Sequence, residues 1–168
     1  MAAPTFVFSE TNTVSVTVTD SVTSLAYASV DQNSNVSNLS INNPVTANNN
    51  SYEKYWRMKC TGVASNSLSA FGVYWGADPT DQASVSTYIK MYFATNASFV
   101  TPVATVSTVA TTRTNTDTTA PGTSFTAPAN TANAYSAYIT SQMQTLTGAT
   151  GGNTTFPSPW LTAQYTYS

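Results

Sequence analysis

The chain has 168 residues, of which only 12 are charged, and its net charge of −2 with a pI near 4.6 excludes a basic footprint for nucleic acid. No run of about 18 apolar residues is present, so no helical membrane span is expected. Histidine is absent and Cys60 is the single cysteine, which removes the commonest general base and metal ligand and any intrachain disulfide. Thr, Ser and Asn supply 67 of the 168 residues, while aromatics reach 12%. That composition folds, because disorder goes with few aromatics and high net charge. The length suits one domain with a neutral, hydroxyl-rich surface.

The opening MAAPTFVFSE has neither the basic nor the apolar region of a secretory signal. The chain is expected to work where it is made, or to have lost a trimmed signal. Residues 1–12 read as an N-terminal arm, with Phe6 and Phe8 as anchors for a neighbouring subunit. Residues 13–19, TVSVTVT, alternate Val14, Val16 and Val18 against hydroxyls, the pattern of a half-buried antiparallel strand. Residues 25–30, LAYASV, form a weaker second strand. A short strand is expected at 38–41, and Asn48-Asn49-Asn50 marks a turn.

The stretch SYEKYWRMKCTG, residues 51–62, holds four of the 12 charges. On a period of two, Tyr52, Lys54, Trp56, Met58 and Cys60 share one face, and Glu53, Tyr55, Arg57, Lys59 and Thr61 share the other. It reads as a strand with the first set inward and the second wet. LSAFGVYW follows with Phe71, Val73 and Trp75 inward and Tyr74 outward, then STYIKMYFAT as a further strand.

Residues 99–133 are rich in Thr, Ala and Pro and read as an extended loop or arm. Within them Val100, Val103, Val106 and Val109 recur every third residue, which suits neither a flat strand nor a helix face. AYSAYITSQMQTL fits both a helical stripe and an alternating strand; the strand is favoured, because a Gly-rich turn and the alternating WLTAQYTYS follow. Residues 134–168 are therefore expected to form a C-terminal hairpin. Roughly eight strands predict an all-β chain, an antiparallel sandwich or jelly roll, over 1–168 as a single domain.

Seven scattered carboxylates, no histidine and an inward cysteine leave little for catalysis, and no enzyme is expected. A serine–lysine pairing with Lys54 or Lys90 is set aside. Asp78 and Asp81 are ordinary turn residues before they are calcium ligands. No cofactor and no metal are expected. Asn35, Asn38, Asn49, Asn96 and Asn153 each stand in N-x-S/T, which arises by chance in such a composition. Glu53 beside Lys54 and Arg57 reads as a surface ion pair of small value. Tyr55, Arg57 and Tyr74 read as an aromatic and cationic patch on adjacent strands, suited first to a protein interface and then to stacking on sugars.

The segments NNPVTANNNSYEKYWRMKCTG, LSAFGVYW, SAYITSQMQT and LTAQYTYS resemble a loose group of small β-sandwich virion proteins of tailed phages. The resemblance spans most of 42–92 and 136–168, lies in strand and turn signals, and leaves 100–133 outside the pattern. It implies a non-enzymatic protein on the virion that decorates or cements the capsid. The major capsid protein and further copies of this chain, most simply as a homotrimer, are the implied partners, with no nucleic acid and no membrane. The expected interface is Phe6, Phe8, Tyr55, Arg57, Tyr74, Val100, Val103, Val106 and Val109. A neck or tail role is the alternative within the class, and a carbohydrate-binding module is the alternative outside it.

Overall fold

The structure is a computed structural model that describes residues 4–13, 16–22, 25–62, 68–75, 89–105, 111–113, 131–148 and 161–167. Among the described residues eight strands follow in chain order: β1 Thr5–Asn12, β2 Thr17–Asp20, β3 Lys54–Gly62, β4 Leu68–Trp75, β5 Ile89–Asn96, β6 Thr111–Arg113, β7 Tyr138–Thr145 and β8 Leu161–Tyr167. One short helix, α1, spans Leu39–Asn42. The chain is all-β and every pairing is antiparallel, as the alternation of its sequence requires. Six strands form a sheet in the order β2-β1-β3-β7-β5-β6, and β4 and β8 form a two-stranded ribbon.

This topology changes several expectations. Residues 5–12 are not a free arm: β1 is hydrogen-bonded to β2 on one side and β3 on the other. TVSVTVT is not one strand. Thr13 and Val16 lie outside β1 and β2, Asn12 faces Thr17, and Val16 takes a left-handed φ of 48°. Val14 lies outside the described residues, while Val16 and Val18 are exposed. The C-terminal hairpin is also absent, because β3 and β5 occupy both edges of β7 and leave no place beside it for β8. The Asn48 turn holds, with φ 65°, a conformation asparagine tolerates.

Register explains the core. Glu10 faces Trp56, and Trp56 faces Ile139, so these three lie in one row across β1, β3 and β7. Lys54 and Ser141 form the next row. With Met58 and Cys60 they make a fully buried face. Residues 25–43 cover it. They form no strand at 25–30 and a single helical turn near 38–41, because their polar backbone is used elsewhere. The Ala26 N–H donates to Ser34 Oγ, Ser29 N–H to the Asn43 carbonyl, and Tyr52 N–H to the Ala28 carbonyl. From this cover the Tyr27 hydroxyl reaches Ser141 Oγ at 2.8 Å, where the Trp56 indole N–H also donates at 3.0 Å. Burial pushes the Tyr27 hydroxyl well above its ordinary pKa.

Two charges sit inside this core. Lys54 is 1% exposed and Glu10 0%, and Lys54 Nζ lies 2.9 Å from Glu10 Oε1. Glu10 Oε2 accepts the Ser34 N–H at 2.9 Å, and Lys54 Nζ also donates to the Gln32 carbonyl. The expected ion pair of Glu53 with Lys54 and Arg57 is not made, because Glu53 and Lys54 point to opposite faces of the pleat.

Breaking a buried pair on one side costs about 3–5 kcal/mol, whereas replacing both members with apolar residues is far cheaper. Glu10→Leu alone and Lys54→Met alone should each destabilise the protein more than the double variant does. Urea unfolding of the three proteins checks the order.

Candidate interaction surface

The second face of the large sheet carries Ser9, Tyr55, Arg57, Lys59, Tyr138, Thr140 and Gln142, which the same register places on one side. It is not simply wet. β7 pairs with β3 only from Lys54 to Trp56, and residues 133–136 take over along the rest of β3. The Cys60 N–H donates to the Ala134 carbonyl at 2.8 Å, and Ser136 N–H to the Met58 carbonyl at 2.8 Å. This lays Tyr135 and Tyr138 over the basic row. The Arg57 guanidinium carbon lies 3.7 Å from the Tyr135 ring centre and 4.6 Å from that of Tyr138. Such stacking contributes roughly 0.5–2 kcal/mol and orients the guanidinium. Lys59 Nζ lies 2.5 Å from Asp20 Oδ2, and Ser9 Oγ donates to Asp20 Oδ1 at 2.5 Å.

Tyr55 departs from expectation. It is 4% exposed, packed edge-on against Phe99 at 5.2 Å and Tyr138 at 6.2 Å between ring centres. Burial raises its hydroxyl pKa, with Glu53 adding to the rise and Thr140 opposing it. The ring is an internal contact, not an open platform.

Phe99 begins a strap, residues 99–105, that crosses this face. Glu53 fixes it twice: its N–H donates to the Val103 carbonyl at 3.1 Å, and its Oε2 accepts the Val103 N–H at 3.3 Å. The buried Gln142 amide donates to the carbonyls of Ser51 at 2.8 Å and of Val103 and Thr105 at 3.2 Å. With its backbone so held, the strap leaves Val100 54% and Val103 42% exposed. Glu53 and Gln142 were not legible as anchors, since both look like solvent-facing residues of their strands.

The other expected interface residues scatter. Phe6 and Phe8 are half-buried on the core face, and Phe8 packs on Trp56 with ring centres 5.5 Å apart. Val106, Val109, the side chain of Tyr74 and the turn with Asp78 and Asp81 lie outside the described residues.

Ser51 and Lys54 have the S-x-x-K spacing of some serine acyl-transfer enzymes, but the backbone here is extended rather than helical. Ser51 Oγ donates to the Tyr52 carbonyl and accepts the Met143 N–H, while Lys54 Nζ bonds to Glu10, so no nucleophile–base pair forms. Among the described residues no three or more Cys, Asp and Glu side chains gather as metal ligands. Comparison with protein-family models, curated proteins and solved structures finds no match to the chain.

The two acidic anchors respond oppositely to pH. Burial raises the Asp20 carboxyl, but the hydrogen bonds from Lys59 and Ser9 and the lysine charge outweigh it, so its pKa falls below the ordinary 3.8. Its contribution is complete above 3.8 and is lost as pH falls through the lowered value. Glu53 is raised above its ordinary 4.5 by burial, partly offset by the Val103 N–H. Its stabilisation is complete below 4.5 and is lost as pH rises through the elevated value. Glu53→Gln should therefore flatten the change in stability just above pH 4.5, and Asp20→Asn the change below 3.8. Chemical denaturation across pH reads both.

Proposed function

We propose that the protein is a non-enzymatic structural component of a tailed-phage virion that decorates and cements the outside of the capsid. In this reading the chain is a sandwich whose β4–β8 ribbon supplies the second layer. The observation that carries it is the strap: two exposed valines on a backbone fixed by buried Glu53 and Gln142. An apolar contact that is already ordered loses less entropy on docking. With 12 charges in 168 residues, the surrounding surface offers neutral hydrogen bonds, so salt weakens the contact little. The partners are the major capsid protein and further copies of this chain, with a trimer on a local threefold axis as the simplest closed arrangement. Neither nucleic acid nor membrane is a partner in this reading. A neck or tail position uses the same surface in fewer copies. The sugar-binding alternative uses Tyr55 and Tyr74 as its platform; the Tyr55 ring is covered by Phe99 and Tyr138, and the Tyr74 side chain lies outside the described residues.

Copy number in purified particles, measured by quantitative mass spectrometry against the major shell protein, separates these readings. Near-equal abundance supports decoration, a handful of copies supports the neck or tail, and absence rejects the virion reading. Val100→Asp with Val103→Asp should abolish capsid co-sedimentation in both low and high salt. Because both valines are exposed, the pair should change folding stability by only about 0.5 kcal/mol per site.

A further inference from the structure

The charges of the second sheet face do not all find partners. Lys59 meets Asp20, and on the core side Lys54 meets Glu10, but Arg57 forms no ion pair among the described residues. The described carboxylates are engaged elsewhere: Glu10 with Lys54, Asp20 with Lys59 and Ser9, and Glu53 with the Val103 N–H. Asp31, in the field of Lys54 and Glu10, accepts the Thr13 N–H. No described group accepts a hydrogen bond from the Arg57 guanidinium either. Its Nε is buried without an acceptor, whereas Nη1 and Nη2 are not closed off, so the half-buried side chain presents its Nη edge to solvent. The group is nonetheless fixed in place. The Tyr135 ring centre lies 3.7 Å and the Tyr138 ring centre 4.6 Å from the guanidinium carbon. Tyr135 is held by its bridge to Lys59 and by hydroxyl hydrogen bonds with Asp20 and Lys59. Tyr138 is held by ring contacts with Tyr55 and Phe99, each 6.2 Å between centres. Such rings offer a guanidinium a π-face and no hydrogen-bond acceptor, so its N–H donors still need oxygens. An oriented fork of donors with an unpaired positive charge is a receptor for an anion.

We propose that Arg57 is a carboxylate-binding site, and that the protein docking on this face seats an aspartate or glutamate side chain on its Nη edge. The partner in this statement rests on the docking reading above; the site itself does not. A carboxylate fits because its two oxygens match the parallel N–H groups of Nη1 and Nη2. A second copy of this chain offers no exposed, unengaged carboxylate among the described residues, so the acid belongs to a different protein, in this reading the major capsid protein. Tyr138 and Phe99 separate the guanidinium from the exposed valines of the strap, which sets the charged contact at a fixed offset from the apolar one. Apolar burial supplies affinity without direction, whereas a bidentate pair fixes position and angle. Arg57 thus sets the register of docking. Salt screens such a half-buried pair less than an exposed one.

Titration of the full-length protein with N-acetyl-glutamic acid α-amide, followed by NMR at constant ionic strength, tests the site. The Arg57 Nε–H and the Tyr135 and Tyr138 ring signals should shift and saturate. The neutral analogue, N-acetyl-glutamine amide, should bind at least about tenfold more weakly, because it lacks the charge-assisted hydrogen bonds. Absence of saturation at Arg57, or an equal response to the neutral analogue, overturns the site. Tighter saturation by inorganic phosphate overturns the assignment to a carboxylate. Arg57→Lys keeps the charge and loses the fork, and should weaken binding of the acid about tenfold; undiminished binding overturns the role of the guanidinium. The titration is read on the unsubstituted protein, so the site is decided even where the variant fails to fold. The folded variant, with Val100 and Val103 intact, should lower capsid co-sedimentation about tenfold. Unchanged co-sedimentation overturns the partner assignment and leaves the docking reading standing. Absence of the chain from particles rejects the docking reading and the partner with it, while the titration on the free protein still decides the site.

Discussion

The buried pairing of Lys54 with Glu10 is the constraint on which the rest of the core is arranged. An ammonium and a carboxylate removed from water must each fill their remaining hydrogen-bond positions. The strands supply none of these, so a loop has to. The Ser34 N–H and the Gln32 carbonyl are the groups that fit, and they fix residues 31–34 directly above β1 and β3. Once that loop is in place, the Tyr27 hydroxyl meets Ser141, Leu39 is buried, and the irregular segment covers the hydrophobic face. An apolar pair at positions 10 and 54 could bury as much surface, but it would not specify which part of the loop lies above it.

The opposite face follows a different logic. Its basic residues are not left in water; aromatic rings and one aspartate take them up. Arg57 keeps a planar guanidinium against two tyrosines, a role a lysine would fill less well. Because these charges are taken up internally, the exposed large apolar residues among those described on the strap, Val100 and Val103, stand without a basic residue of this row beside them in solvent. This is the physical basis for reading the protein as adhesive without being charged.

Much of the strand content could be read from alternation, because β3, β5 and β8 carry apolar residues at a period of two and β7 does so in part. For 138–145 alternation alone did not decide between strand and helix; the Gly-rich turn and the alternating segment that follow did. What alternation did not show was which strands pair. It assigned β7 and β8 to one hairpin from proximity in sequence, whereas hydrogen bonding placed them in different sheets. It also treated each strand as having one dry side. In the centre of this sheet Tyr55 is buried as deeply as Met58, since Phe99 and Tyr138 cover what would otherwise be the wet side. Lys54 could be placed on the inward face, but its partner 44 residues earlier left no trace in local sequence. The same holds for Glu53 and Gln142, whose work is done on the carbonyls and N–H of a strap distant in the chain.

Those separations carry a kinetic meaning. β3 is made early, yet it needs β7 beside it, and Trp56 waits for Ser141, 85 residues further on. At synthesis rates of roughly 5–20 residues per second, several seconds pass on the ribosome before the central strand can be completed. Folding dominated by such distant pairings is slow, in the millisecond-to-second range even for free domains. During that interval β3 lacks its β7 neighbour along one edge. The nascent chain therefore passes through a stage in which one edge of its central strand is unpaired, the kind of edge through which partly folded chains associate.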